Sequence, residues 1–267
     1  MRDQLTDQSG ETPDGAPMVS EPPGGGGAML RRRRVRTDWR EGGRAVRRWN
    51  WRVLAAALVL AGLGLIVSGV VGSLSGLTLG FVSTAVLWGF LTVAVGYAFS
   101  RGRPAGLLRF RATDMLWGLG MGLALRLLNG WLSGANTVPF PTSAAASGSS
   151  VLEWWFANAI APGLIAPAVE EFFFRTVILI TVFQMLRRGV GSLAAGVTAA
   201  LVSTGGFVLL HAAFTMLPLT AGLQLFAVGT ACSALVLLTG RIWGAVLTHA
   251  TYNLTYFALV AVGVLLT

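Results

Sequence analysis

VLAAALVLAGLGLIVSGVVGSL, residues 53 to 74, contains no charged residue and is flanked by Arg52. As a helix rising about 1.5 Å per residue it is long enough to cross a hydrocarbon layer of about 30 Å. It also exceeds the apolar core of roughly 7 to 15 residues found in a cleaved leader, so it is expected to stay as a span.

Outward from that stretch the same composition continues. Only 12% of the 267 residues are charged, 54% are hydrophobic, and 35 are glycine. These values describe a polytopic membrane protein and exclude a soluble two-layer domain. Further spans of about 20 apolar residues are expected near 77–99, 114–132, 157–186, 190–213, 217–239 and 242–265, about seven crossings in all. The fold class is therefore all-α, a transmembrane helix bundle.

Arginine tests that register independently. Arg31 to Arg52, Arg101 to Arg111, Arg187 with Arg188, and Arg241 fall at alternate ends of successive spans, and the opposite ends carry no basic residue. The positive-inside rule then places the N-terminus in the cytoplasm and the loop 133–150 outside. Residues 1–52 hold seven of the eleven acids and eleven of the twenty basic residues. With TPDGAP and EPPGGGG in its first half, this segment is expected to be a disordered basic tail, preceding a transmembrane domain at 53–267. All twenty basic residues are arginine, a composition that suggests a bacterial membrane protein.

The net charge of +9 lies mostly beside apolar spans, so its partner is the lipid bilayer, not nucleic acid. The single cysteine, Cys232, excludes an intrachain disulfide. Glycines 118, 120 and 122 lack a preceding strand and a phosphate-binding lysine, and read as close helix packing.

Few ionisable residues lie well inside spans: Arg126, Glu170, Glu171, Arg175, His211 and His249. Each charge at mid-bilayer costs about 2.5 to 3.5 kcal/mol, so APAVEEFFFRTVILI, residues 166 to 180, carries an expensive cluster. Glu171 and Arg175 stand at i and i+4 and are expected to pair on one helix face. Glu170 points about 100° away and needs a partner or a task. His249 and Asn253 share a face by the same spacing of four. A free carboxylate, two imidazoles and a carboxamide are the parts needed to hold and activate a water. Arg126 is expected to snorkel or to pair with a neighbouring helix. HExxH, GxGD and GxSxG motifs are all absent.

Glu170-Glu171-Phe-Phe-Phe-Arg175, Phe207-Val-Leu-Leu-His211 and His249-Ala-Thr-Tyr-Asn253 occur in that order, each on an expected span. Over residues 151–260 the chain resembles the CPBP intramembrane proteases, also called the Abi or type II CAAX prenyl endopeptidase family, whose signature is EExxxR, FxxxH and HxxxN. Thr176 departs from the glycine often found after the motif arginine. The resemblance implies hydrolysis of a peptide bond in a membrane-associated protein or peptide, lipidated in the best-known relatives. By motif position Glu170 would be the general base, His211 would help hold the water, and His249 with Asn253 would stabilise the oxyanion. Glu171 and Arg175 would support the site. A second scheme implied by the resemblance puts a divalent ion such as zinc on Glu170, His211 and His249. A reading from another class is a catalytically silent membrane scaffold of the same fold that binds a protein partner.

Depth poses a difficulty. In straight helices Glu170 would lie about 26 Å from Arg187, His211 about 34 Å from Arg188 and His249 about 12 Å from Arg241, so the motifs would not meet. Either the helices tilt and break, with Pro162, Pro167 and the Gly205-Gly206 pair as the candidate points, or a span boundary lies elsewhere than expected.

Overall fold

The computed structural model describes residues 38–41, 43, 46–74, 77–142 and 155–266, the side chains of 77–80 and 157–158 aside. Among these residues every regular element is helical. Residues 1–37 and 143–154, which include five of the seven acids of the expected tail and the last eight residues of the loop 133–150, lie outside the described residues.

Helix α1 (Trp51–Ser73) starts where the Asn50 side chain accepts a hydrogen bond from the Arg52 amide, satisfying one of the unpaired donors of a helix start. It packs along α2 (Leu77–Arg101) through small residues. A Cβ added at Gly64 would lie 2.8 Å from the Cβ of Phe90, and Ser68 Oγ and Ser83 Oγ meet at 2.8 Å. In lipid, where apolar side chains gain little by leaving one membrane-facing surface for another, such close approach and buried hydroxyl pairs hold helices together.

Helix α3 (Ala112–Leu132) packs against the last helix, α7 (Trp243–Leu266). Two glycines on α3 permit this: a Cβ at Gly118 would overlap Leu247, and one at Gly122 would lie 2.7 Å from the Thr248 carbonyl. At one end of the pair Arg241, just before α7, grips the buried Asp114 carboxylate at 2.7 Å. The expectation that the triple-glycine run serves helix packing is met at positions 118 and 122.

The segment that carries the acidic motif is a composite. It runs as a π-helix over Phe156–Ile165, an α-helix over Ala166–Glu171, a second π-helix over Phe172–Ile178, and then an α-helical stretch Leu179–Ala212. That last stretch is broken at Gly191, whose φ of 82° and ψ of 166° no side-chain-bearing residue adopts readily. We therefore describe two helices, α4 (residues 156–190) and α5 (192–212), followed by α6 (Leu219–Thr239). The seven helices coincide with the seven stretches expected as spans. Five segments meet the length and apolarity needed to cross a membrane, with residues 159–212 counted as one piece of 54 residues and α3 falling short. A piece of that length would extend about 80 Å, well beyond one bilayer, so the break at Gly191 is what makes it usable.

The described part of the segment expected as a tail packs on the bundle. Trp39, Val46 and Trp49 are buried, and two indole N–H groups find carbonyls: Trp39 Nε1 donates to Gly240 O at 3.0 Å and Trp49 Nε1 to Gly102 O at 3.1 Å. Gly240 closes α6 in the left-handed conformation, leaving a helix-end carbonyl that the indole satisfies. Two tryptophans spaced ten apart in an arginine-rich run are enough apolar area to dock that run on the bundle.

Candidate active site

The site begins with two prolines. Within the first π-helix the Ala166 amide donates to the Ala161 carbonyl, the i to i−5 pattern. By the same pattern the Pro162 carbonyl would take its hydrogen from residue 167. That residue is Pro167, which has no N–H. The Asn253 side chain of α7 supplies the missing donor, its Nδ2 lying 3.0 Å from Pro162 O. The missing donor at Pro167 thus accounts for the docking of Asn253 on the first π-helical stretch of α4.

Glu170 and Glu171 follow on the short α-helical turn, both buried. They are brought together by a single imidazole. His249 Nδ1 lies 3.0 Å from Glu171 Oε1, and His249 Nε2 lies 4.0 Å from Glu170 Oε2. Because the two ring nitrogens diverge, one histidine can face two carboxylates that themselves point apart. In the neutral ring, Nδ1 donates to the Glu171 carboxylate, so Nε2 carries a lone pair.

The other oxygen of Glu171 lies 3.2 Å from Arg175 Nε, the pairing expected from the i, i+4 spacing. Both side chains are fully buried, and the guanidinium nitrogens have no hydrogen-bond acceptor among the described residues. The pair at 3.2 Å is therefore a charge contact without hydrogen-bond alignment. Its cation lies 4.7 Å from the Phe207 ring centroid, a favourable contact where water is excluded. Gly229 of α6 makes room for it: a Cβ there would lie 2.9 Å from Arg175 Nη2.

Phe207 is where the three motifs converge. Its ring packs against Arg175, against His211 at 4.5 Å and against His249 at 5.4 Å. His211 is otherwise tied to its own helix, with Nδ1 donating to the Phe207 carbonyl at 2.9 Å. Among the described residues no hydrogen bond joins His211 to Glu170. The expected convergence of four polar groups is therefore divided: Glu170, Glu171 and His249 meet, Asn253 sits one turn along α7 on the Pro162 carbonyl, and His211 joins them through Phe207.

The divalent-ion scheme names Glu170, His211 and His249 as its ligands. Among the described residues no three of His, Cys, Asp or Glu are grouped so as to hold an ion. Nδ1 of His211 is held by the Phe207 carbonyl and Nδ1 of His249 by Glu171, which leaves the Nε2 atom of each ring as its acceptor. Cys232, also buried, donates weakly to the Ala245 carbonyl at 3.5 Å and serves packing.

Arg126 meets the expectation of pairing with a neighbouring helix, and Asn129 is a contributor the sequence reading did not single out. Arg126 crosses from α3 to α7, where its guanidinium donates to the Tyr252 carbonyl and lies 3.9 Å from the Tyr252 ring centroid. Asn129, one turn further on, donates to the Tyr252 hydroxyl at 2.7 Å. Tyr252 lies between His249 and Asn253 in sequence, so α3 holds the stretch of α7 that carries the third motif. The signal was an arginine in a span without an acid nearby, which identifies a neighbouring carbonyl or ring only once the packing is known.

Residues 152–255 match a family model described as Type II CAAX prenyl endopeptidase Rce1-like. No curated protein and no solved structure matches the chain. The matched segment holds the acidic motif, both histidines and Asn253, with the bonds among them described above, and its match supports membership of the CAAX protease family.

Proposed function

We propose that the protein is an intramembrane endopeptidase that hydrolyses a peptide bond of a membrane-associated protein or peptide with a water activated by Glu170. The observation that carries this reading is the 4.0 Å separation of Glu170 Oε2 and His249 Nε2. Both atoms are hydrogen-bond acceptors when the carboxylate is ionised and the ring neutral, so they have no reason to approach each other directly. A water donating one hydrogen to each, at about 2.8 Å, fits such a gap from the side. Its lone pairs then face away from both acceptors, towards a substrate carbonyl.

The reaction follows. The water oxygen forms a bond to the carbonyl carbon, its proton passes to Glu170, and the π electrons of the carbonyl move to oxygen. As the tetrahedral intermediate collapses, the C–N bond breaks and Glu170 returns the proton to the leaving nitrogen. Glu171 keeps His249 in the tautomer that accepts from water, the orienting role of a carboxylate behind an imidazole. Arg175 balances the Glu171 charge in a water-poor setting. The second Nδ2 hydrogen of Asn253, free once the first is given to Pro162, is assigned to the oxyanion. His211 enters through the family resemblance as a further holder of the water.

The proposal is tested in liposomes with purified full-length protein and peptides tethered to the membrane by an acyl or prenyl chain, in water enriched in 18O. One heavy oxygen in the new C-terminal carboxyl of the product supports hydrolysis. The absence of any cleaved product across such a panel would favour the silent scaffold reading. Chelation on the same sample addresses zinc: unchanged turnover is expected, and loss of turnover restored by stoichiometric zinc would support the metal scheme instead.

A further inference from the structure

We infer that a cavity at one end of the bundle, between the start of α1 and the end of α4, binds the phosphodiester of an anionic phospholipid. The cavity has a volume of about 540 Å³ and takes Arg47, Arg187 and Arg188 into its wall, with Asn50 and Gln184 as neutral polar neighbours. A second cavity of about 220 Å³ shares Arg47 and Asn50 and adds Arg48, Arg52 and Arg101. Six arginines from three separate segments therefore converge, and no carboxylate lines either cavity.

Charge balance makes this arrangement costly as it stands. Among the described residues the arginines in ion pairs are Arg40, Arg175 and Arg241, whose partners are Asp38, Glu171 and Asp114. None of the six lining arginines is among them. Their partners are neutral: Arg187 donates to the Arg40 carbonyl at 2.6 Å, Arg101 to the Tyr97 hydroxyl at 2.9 Å, and Arg52 lies over the Trp51 ring. Positive flanks on spans are ordinary, but a flank that only marks topology has no need to be folded into a cavity. Here the flank is fixed. Gln184 donates to the Trp39 carbonyl at 2.7 Å, and Trp49 is buried beside the cavity it lines.

The shape and level narrow the ligand. Trp51, at the first position of α1, is 62% exposed, as an interfacial tryptophan would be, so the cavity lies at headgroup depth. Its volume falls within the range of sites for organic ligands and is generous for a lone phosphate ion. Val46 and Met185 give it an apolar wall suited to a glycerol backbone, while guanidinium groups grip phosphate oxygens two at a time.

The experiment measures retention of a labelled phosphatidylglycerol by full-length protein in phosphatidylcholine nanodiscs. Arg47→Gln with Arg188→Gln is compared with Arg103→Gln with Arg109→Gln, which removes the same charge outside both cavities. At about 1 kcal/mol per interfacial arginine, the first pair is expected to weaken retention about 30-fold and the second by much less. Equal weakening by both pairs would reduce the effect to diffuse charge and overturn the proposal. Displacement of the lipid by millimolar inorganic phosphate would identify a free-anion site and overturn the lipid assignment. If the first pair fails to fold, Arg188→Gln alone is read, with about 5-fold weakening expected and no change counting against the site.

Discussion

Asn253 has two separable jobs in this account, and a pair of substitutions can divide them. Asn253→Ala removes the donor that satisfies the Pro162 carbonyl across 3.0 Å. Leaving a buried carbonyl unpaired costs about 1 to 3 kcal/mol, with the upper part of that range expected where lipid offers no alternative donor. The same change removes the oxyanion donor, worth on the order of 10²- to 10³-fold in rate. Pro167→Ala supplies an N–H at the position from which a π-helix would serve the Pro162 carbonyl. In the double variant the stability cost is expected to fall to well under half of its single-variant value, whereas the rate defect should persist. The assays are thermal loss of helicity in detergent and single-turnover cleavage of a tethered peptide. A double variant that regains activity along with stability would refute the oxyanion role. An Asn253→Ala protein as stable as the wild type would refute the helix-repair role.

Other substitutions probe the packing around the site. Arg175→Met leaves Glu171 charged and buried, and should cost about 3 to 5 kcal/mol, with much of that recovered when Glu171→Gln is added; additive losses in denaturation would contradict the ion pair. Gly122→Ala forces α3 away from the Thr248 carbonyl, so a loss of about 1 to 3 kcal/mol accompanied by a lower cleavage rate is expected, and a neutral result in both would argue that α3 does not hold α7. Arg126→Met should lower the cleavage rate more than substrate affinity, since Tyr252 touches no substrate in this account; an effect on affinity alone would place Arg126 elsewhere. For topology, a Cys232→Ser background with single cysteines at Arg188 and Ser133 should label from opposite sides of the membrane, Arg188→Cys from the cytoplasm. Labelling from the same side would overturn the seven-crossing, N-in arrangement.

The helical membrane fold was legible because its cause is local. A run such as residues 53–74 must satisfy its own backbone, and arginines at alternate ends fix which runs are separate. The Glu171–Arg175 pair was legible for the same reason, as a one-turn relation. What could not be read was how far each motif sits from the membrane surface. Straight-helix arithmetic separated Glu170 from His249, whereas the two side chains lie 4.0 Å apart. Proline positions announced a break without stating its kind, because whether a proline kinks a helix or widens it depends on which neighbour supplies the missing donor. Asn253 is that neighbour, 91 residues away from Pro162. The dividing of the two histidines was equally hidden, since spacing shows which side chains share a face and not which partner the face meets. Trp39 and Trp49 show the converse, where a charge-rich composition concealed two apolar anchors.

The most direct test of the central claim is the single-turnover cleavage rate of Glu170→Gln, which keeps the size of the side chain but abolishes its ability to take a proton. A water held between Glu170 and His249 and activated by the carboxylate predicts a fall of at least about 10²-fold with the unfolding free energy unchanged within about 1 kcal/mol. Cleavage at the wild-type rate by a folded Glu170→Gln protein would contradict it.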